Sequence, residues 1–149
     1  MIENKNELAF NLMKSLEIIN QLSTAKVTKA LRPLNLSYSQ FSLLNHFSND
    51  PEQEFTVSQL ANSMQMNQPG ITKIVNKLTE MGLIEIRKDL QDARKKWLKI
   101  NTTGQEKLSL AQSNVMNDIS DCFSDWEADE LEDMLKHAQR LQTWFDNNR

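Results

Sequence analysis

The sequence predicts a mainly α-helical protein with a small two- or three-stranded β wing. Three helix-capping signals follow one another between Ser37 and Asn67, Gly82 ends the third helix, and a charged hairpin extends to Asn101. This order is typical of a winged helix-turn-helix, which we assign to residues 37–101. Helical patterns at residues 1–34 and 104–149 flank this core, and the 149 residues are expected to form one domain.

Each of the three short helices begins at a residue suited to capping its N-terminus. Ser37 precedes Gln40 by three positions, and Thr56 precedes Gln59 in the same way, which is the spacing of a capping box. Asn67 begins the third helix, because an asparagine side chain accepts hydrogen bonds from first-turn N–H groups. These local signals predict where the three helices begin.

The third helix, at about residues 68–81, is predicted to have one apolar and one polar face. The apolar positions follow helical spacing and are Ile71, Ile74, Val75 and Leu78. The opposite face has amides, cations and no acid, and consists of Gln68, Thr72, Lys73, Asn76 and Lys77. Amides can read adenine and cations can contact guanine or phosphate, so this face suits a DNA major groove.

Positive charge is concentrated around this helix and the hairpin that follows it. The chain has 17 Lys and Arg against 20 Asp and Glu, a net charge of −3, which alone argues against a nucleic-acid partner. Residues 71–99 nevertheless hold eight bases and four acids, whereas residues 100–149 hold four bases and ten acids. The strands expected at Leu83–Arg87 and Lys96–Ile100 alternate apolar and polar residues around a charged tip.

The flanking helices have narrow apolar seams with heptad-like spacing, as a helical dimerisation layer requires. The last helix is expected to begin at a capping box formed by Ser124 and Glu127. The seam residues that we assign to a homodimer interface are Leu12, Leu16 and Ile19 at one end and Leu135, Leu141 and Phe145 at the other.

The residues give little support for catalysis. His46 and His137 are far apart in sequence, and neither a metal-ligand spacing nor a glycine-rich phosphate loop is present, so we expect no enzyme activity and no cofactor. Cys122 falls on an apolar stripe and is expected to pack as a small hydrophobic residue rather than act as a redox sensor. The N-terminus lacks the pattern of a signal peptide, and we expect a cytoplasmic protein.

Two segments, MNQPGITKIVNKLTEMGLIEI and DLQDARKKWLKINTTG, carry a family resemblance. From about Leu36 to Leu108 the chain resembles the MarR family of bacterial transcription regulators. The resemblance implies a recognition helix at 68–81, a wing tip at 88–95 and terminal helices that form the dimer interface. The family often has a further wing arginine where this chain has Gln91.

The helix face and the wing together define the expected DNA-binding site. Arg94 is expected to enter a groove, positioned by a salt bridge to Asp92 or Asp89, while Lys88, Lys95 and Lys96 touch the backbone. Gly70 is expected to allow close approach to a base pair. The residues assigned to DNA binding are Asn67, Gln68, Gly70, Thr72, Lys73, Asn76, Lys77, Lys88, Asp92, Arg94 and Lys95.

We therefore expect a homodimeric repressor that binds a pseudo-palindromic operator in double-stranded DNA. The resemblance implies relief by a small-molecule effector such as an aromatic acid, with Phe41 and Asn45 as the positions to test. Two alternatives stay open: a winged-helix protein-interaction module without DNA binding, and a small-molecule-binding protein or enzyme. The acid-free helix face favours DNA over the first, and the lack of convergent titratable groups disfavours an enzyme.

Overall fold

The computed structural model describes the backbone of residues 2–149 and the side chains of residues 4–149, and this part contains six α-helices and three β-strands. The elements in chain order are α1 (Ile2–Leu31), α2 (Tyr38–Asn45), β1 (Phe55–Thr56), α3 (Val57–Met64), α4 (Gln68–Glu80), β2 (Ile84–Lys88), β3 (Lys96–Ile100), α5 (Thr102–Ile119) and α6 (Ala128–Asn147). Short 3₁₀ turns occupy Arg32–Leu34 and Ser120–Phe123. The predicted fold class is confirmed.

The chain divides into two compact units, one ending at Asp118 and the other comprising Ile119–Arg149. The first unit contains the three short helices, the sheet and most of α5, and the second contains α6. Among the described residues, no helix is both long enough and apolar enough to cross a membrane.

The predicted caps form at the starts of α2 and α3. The Ser37 hydroxyl accepts from the Gln40 N–H at 3.1 Å, and the Gln40 side chain accepts from the Ser37 N–H at 2.9 Å. Thr56 and Gln59 repeat this exchange at 3.1 and 2.9 Å. Each pair satisfies two N–H groups that the first helical turn leaves without a partner.

The helix-turn-helix consists of α3 and α4. Gln65 ends α3 with a left-handed φ of 52°, and two residues later the Asn67 side chain accepts from the Gly70 N–H at 2.7 Å, which caps α4. Gly82, with φ of 71°, follows the end of α4 and directs the chain into β2. The turns at both ends of α4 thus follow from local sequence.

The strands form one antiparallel sheet in the order β1, β3, β2. The register pairs Ile86 with Leu98 and Arg87 with Trp97. Since directly opposite residues in antiparallel strands point to the same side, Ile86 and Leu98 share one face and Arg87 and Trp97 share the other. The predicted hairpin is confirmed, with its first strand shifted by one residue.

The core of the first unit lies around α4, which packs against α2, α3 and β2. The largest fully buried side chains are Phe47, Leu31, Leu43, Leu44, Leu60, Ile71, Leu78, Leu83, Leu98 and Ile100. Each such side chain contributes roughly 1.5–3 kcal/mol through removal of apolar surface from water. This core holds the polar face of α4 towards solvent beside the hairpin.

The start of α5 is tied to the start of β2. Asn101 caps α5 through the Gly104 N–H at 2.8 Å and donates its side-chain amide to the Gly82 carbonyl at 2.8 Å. A Cβ on Gly104 would lie 2.1 Å from the Leu83 carbonyl oxygen, so only glycine permits this approach. Asn101 and Gly104 therefore fix where the hairpin returns to the helical core.

Two local predictions in the second unit were wrong. Glu127, rather than Ser124, is the N-cap of α6, and its N–H donates to the Glu130 carboxylate at 2.9 Å. The box therefore lies three residues later, where acidic side chains also complement the positive end of the helix dipole. Cys122 is exposed rather than packed, because Ser120–Phe123 leaves the α5 helical path in a 3₁₀ turn.

Candidate nucleic-acid interface

A cleft of about 470 Å³ separates the polar side of α4 from the wing tip. Its lining residues are Thr56, Val57, Ser58, Gln68, Thr72, Val75, Asn76, Ile86, Asp92, Arg94, Lys95, Lys96 and Leu98. Six of the residues assigned to DNA binding from sequence lie here: Gln68, Thr72, Asn76, Asp92, Arg94 and Lys95. The fold thus brings two segments separated in sequence onto one concave surface.

The polar face of α4 is divided into two rows. Gln68, Thr72 and Asn76, four residues apart, line the cleft towards the wing. Lys73 and Lys77 instead line a second depression of about 510 Å³, which opens towards the start of α2. Amides and a hydroxyl therefore point to one side of the helix, and ammonium groups point to the other.

Gly70 lies in the second depression, beside the cap of its own helix. A Cβ at this position would meet the Asn67 Oδ1 at 2.9 Å and the Met66 Cε at 3.3 Å. The same Asn67 oxygen accepts from the Gly70 N–H. The cap therefore gives a local reason for glycine here, independent of any contact with DNA.

The wing tip is organised by the carboxylate of Asp89. Its Oδ1 accepts from the Trp97 indole N–H at 2.9 Å, while its Oδ2 accepts from the backbone N–H groups of Gln91 at 3.0 Å and Asp92 at 2.9 Å. These bonds, the one from Trp97 most strongly, lower the pKa of Asp89 to about 2, because each stabilises the ionised carboxylate.

Arg94 projects into solvent from this tip. Asp92 Oδ1 accepts from the Arg94 backbone N–H at 3.0 Å and from its Nε at 3.3 Å, while the Arg94 side chain remains 93% exposed. Of the two carboxylates expected to position Arg94 by a salt bridge, it is Asp92 that pairs with it. Asp92 thus holds the Arg94 backbone and contacts its Nε, and the rest of the guanidinium stays accessible.

Two other cations of this segment are engaged on the opposite face of the hairpin. Arg87 binds the Glu54 carboxylate, and Lys99 binds Glu52 at 2.5 Å. The hydrogen bond that Arg87 donates lowers the pKa of Glu54, and the hydrogen bond that Lys99 donates to Glu52 raises the pKa of Lys99. Sequence charge counts include these cations in the positive segment, but the acidic loop before β1 neutralises them.

The remaining DNA assignments and three further residues complete the surface. Asn67 and Lys88 line neither depression; Asn67 caps α4 and Lys88 ends β2 opposite Lys96. Thr56, Ser58 and Lys96 line the cleft, although the first two were not assigned to DNA binding from sequence. The start of α3 could have indicated them, because Thr56 caps this helix and lines the cleft together with residues of α4.

The positions expected to bind an effector lie on α2. Phe41 is buried in the core, and the Asn45 side chain accepts from the Gln112 side chain of α5 at 3.0 Å. His46, next along the chain, is half-buried, and burial lowers its pKa. Among the described residues, no group of three His, Cys, Asp or Glu side chains could hold a metal ion.

Apolar side chains assigned to the dimer interface are largely exposed in the single chain. Ile19 of α1 is 53% exposed and Leu135 of α6 is 56% exposed. Leu12 and Phe145 are also exposed, whereas Leu16 and Leu141 are partly buried. In α6, Trp144 and Phe145 form an edge-to-face pair with ring centroids 5.2 Å apart.

Comparison with known proteins relates this surface to a family. Residues 34–95 match the family model described as the MarR family. The transcriptional regulator SarA of Staphylococcus aureus is 21% identical over 113 residues, which cover 74% of this chain and 91% of SarA.

Solved structures share the fold over nearly the whole chain. The transcriptional regulator BldR from Sulfolobus solfataricus superposes with a TM-score of 0.80 and 28% identity, covering 93% of this chain and 97% of BldR. A mutant MarR from E. coli complexed with operator DNA has a TM-score of 0.74 and 19% identity, with 91% and 96% coverage. At 19% identity, the similarity to this MarR structure establishes only that the two proteins share a fold.

Proposed function

We propose that this MarR-family transcription regulator binds operator DNA as a homodimer. The family follows from the match of residues 34–95 to the MarR family model and from the winged-helix fold that the chain shares with MarR-family regulators. The supporting observation is the cleft in which α4 and the wing tip meet. It combines amide side chains suited to base edges with cations suited to phosphates.

In this proposal α4 enters the major groove. A helix with its side chains is about 10–12 Å across, which matches a major groove of about 12 Å. Gln68 and Asn76 face the wing side and offer amide groups to base edges. Lys73, on the other side of the helix, can reach guanine or the phosphates of the opposite strand.

The wing supplies the second set of contacts. The exposed guanidinium of Arg94 can enter the adjacent minor groove, where negative potential attracts arginine. Lys95 and Lys96 line the same cleft, and we assign both to phosphate contacts. This arrangement assigns sequence reading mainly to α4 and positioning mainly to the wing.

A second copy of the chain is proposed to cover the exposed seams. Exposed apolar side chains occur on α1, such as Ile19, and separately on α6, such as Leu135, and exposed apolar surface of this kind marks interaction sites. A two-fold dimer presents two recognition helices to a pseudo-palindromic site, with half-sites about one helical turn, roughly 34 Å, apart. Occupation of such a site would block transcription, so repression is the proposed output.

We further propose that a small aromatic acid relieves repression by weakening the binding of the protein to DNA. An effector lowers DNA affinity only by binding one dimer geometry better than the other. The hydrogen bond between Asn45 and Gln112 joins α2 to α5. A ligand that disturbs this bond would change how α2 is held against α5. Unchanged ligand and DNA titrations for both Phe41→Ala and Asn45→Ala would reject these positions.

The direct test is a gel-shift assay on the DNA flanking the chain's own gene. The proposal predicts a discrete complex that survives excess random duplex, and footprinting of two half-sites separated by about one helical turn. The control is Asn76→Ala with Lys95→Ala, which should lose the complex while remaining folded. A wild-type chain that binds no fragment more tightly than random DNA would contradict the proposal.

A further inference from the structure

Trp97 has no role in the proposed DNA contacts. Its side chain lies on the face of the hairpin shared with Arg87, and it does not line the cleft beside α4. The side chain is nevertheless partly buried. The Arg87 Cζ lies 5.7 Å from the centroid of its ring, and the contacts with Asp89 and Lys95 lead towards the wing tip. A tryptophan that touches the tip but does not line the cleft can influence the proposed DNA contacts through the residues that it holds.

One link runs from the indole through Asp89. The indole N–H bonds one oxygen of the Asp89 carboxylate at 2.9 Å, and the other oxygen receives the backbone N–H groups of Gln91 and Asp92. Both carboxylate oxygens are therefore in use, which prevents free rotation of the side chain. Asp89 thereby connects strand β3 to the backbone of the tip.

The link continues to the exposed cation. Asp92, whose backbone is held by Asp89, accepts both the backbone N–H and the Nε of Arg94. The Lys95 backbone N–H donates to the Asp92 carbonyl at 3.0 Å, and the Asp89 N–H donates to the Lys95 carbonyl at 2.9 Å. A displacement of Asp89 would therefore move the base of Arg94.

A second link runs directly to Lys95. Its ammonium nitrogen lies 4.7 Å from the centroid of the Trp97 ring, within the range of a cation–π interaction. A free lysine side chain loses much rotamer freedom when it is fixed on a phosphate. Contact with the ring reduces that loss, because part of the freedom is already removed before DNA binds.

We propose that Trp97 is a positioning residue for DNA binding, which holds the wing tip so that Arg94 and Lys95 meet the duplex already arranged. This inference rests on the proposed DNA-binding function. It predicts that the contribution of Arg94 to DNA affinity depends on Trp97, although the two side chains need not contact each other directly.

A double-mutant cycle tests this dependence with the full-length protein. Fluorescence anisotropy would measure affinity for a labelled duplex from the DNA flanking the chain's own gene, for wild type, Trp97→Leu, Arg94→Ala and the double variant. We expect Arg94→Ala to lower affinity about tenfold in the wild type and only about twofold in the Trp97→Leu background. Thermal unfolding would establish that each variant is folded.

Two further variants make the result specific. Trp97→Phe keeps a ring beneath Lys95 but removes the indole N–H, so it should give an intermediate coupling to Arg94, and it replaces Trp97→Leu if that variant fails to fold. Lys99→Gln changes the same face of the hairpin without touching the tip, and its effect should be independent of Arg94.

Equal losses on Arg94→Ala in both backgrounds would overturn the positioning role while leaving DNA binding intact. A wild-type chain that binds the duplex with no dependence on salt would instead overturn DNA binding by this surface, and the positioning role with it. The two failures are therefore distinguishable.

Discussion

Arg87 donates two hydrogen bonds to the carboxylate of Glu54, from Nε at 2.8 Å and from Nη2 at 2.6 Å. This paired geometry occupies both carboxylate oxygens and joins β2 to the loop that precedes β1. Arg87 is therefore a cation of the positive segment that is already neutralised, on the face opposite the cleft.

The pair predicts that Arg87→Gln leaves the salt dependence of DNA affinity unchanged, whereas Lys95→Gln reduces it. Each lost phosphate contact removes about 0.9 from the log–log slope, so Lys95→Gln in both protomers should remove nearly 2. Anisotropy titrations across a range of salt concentrations would measure both slopes. A loss of slope in Arg87→Gln as large as in Lys95→Gln would mean that Glu54 releases Arg87 to DNA.

Contacts between residues close in sequence were predictable, and those between distant residues were not. The caps at Ser37, Thr56 and Asn67 depend on a spacing of three residues, which the sequence displays directly. The Arg87–Glu54 pair joins residues 33 positions apart, so it exists only once the sheet has formed. A charge count along the chain therefore overestimates the cations available to DNA.

The candidate site was predictable to the extent that periodicity defines a helix face. Periodicity separates Ile71 and Val75 from Thr72 and Asn76, but not the two sides of the polar face, since these depend on where α2 and the wing lie. Glu127 and Glu130 repeat the capping spacing of Ser124 and Glu127, and spacing alone could not decide between them.

The hydrogen bonds to Asp89 predict that the pKa of its carboxyl group lies well below the ordinary range of aspartate. Its pKa of about 2, against the usual 3.8, means that the ionised carboxylate stabilises the fold above pH 3.8 and that this contribution is lost as the pH falls towards 2. Carbon-13 NMR of the carboxyl group should find this midpoint. Trp97→Phe should raise it, because the largest cause of the shift is removed. An Asp89 midpoint near 3.8 in the wild type would contradict the wing-tip geometry.

The position of Asn76 predicts that this residue reads base edges, rather than contributing equally to binding of every DNA sequence. Its amide lines the cleft beside Gln68, so Asn76→Ala should cost about 1–3 kcal/mol on the operator and little on random duplex. Lys73→Ala should likewise change which operator sequence is preferred. Titrations against a set of single-base operator variants would measure the preference. Equal weakening on operator and random DNA by Asn76→Ala would remove that residue from the readout set.

The exposed seams predict that dimerisation depends on the second unit. Removing residues 125–149, or introducing Leu135→Asp, should leave a monomer and abolish operator binding, because two half-sites need two linked recognition helices. Glu132→Gln, on the same helix, is the matched control and should remain dimeric. Sedimentation velocity would measure the assembly. A truncated chain that stays dimeric would place the interface elsewhere.

The central claim is that the surface between α4 and the wing binds the DNA backbone although the chain has a net charge of −3. The most direct measurement is the slope of log affinity against log salt concentration for the wild-type dimer on its operator. With two or three cations per subunit on phosphates, the account predicts a slope of about −4 to −5. A slope of zero would contradict DNA binding by this surface.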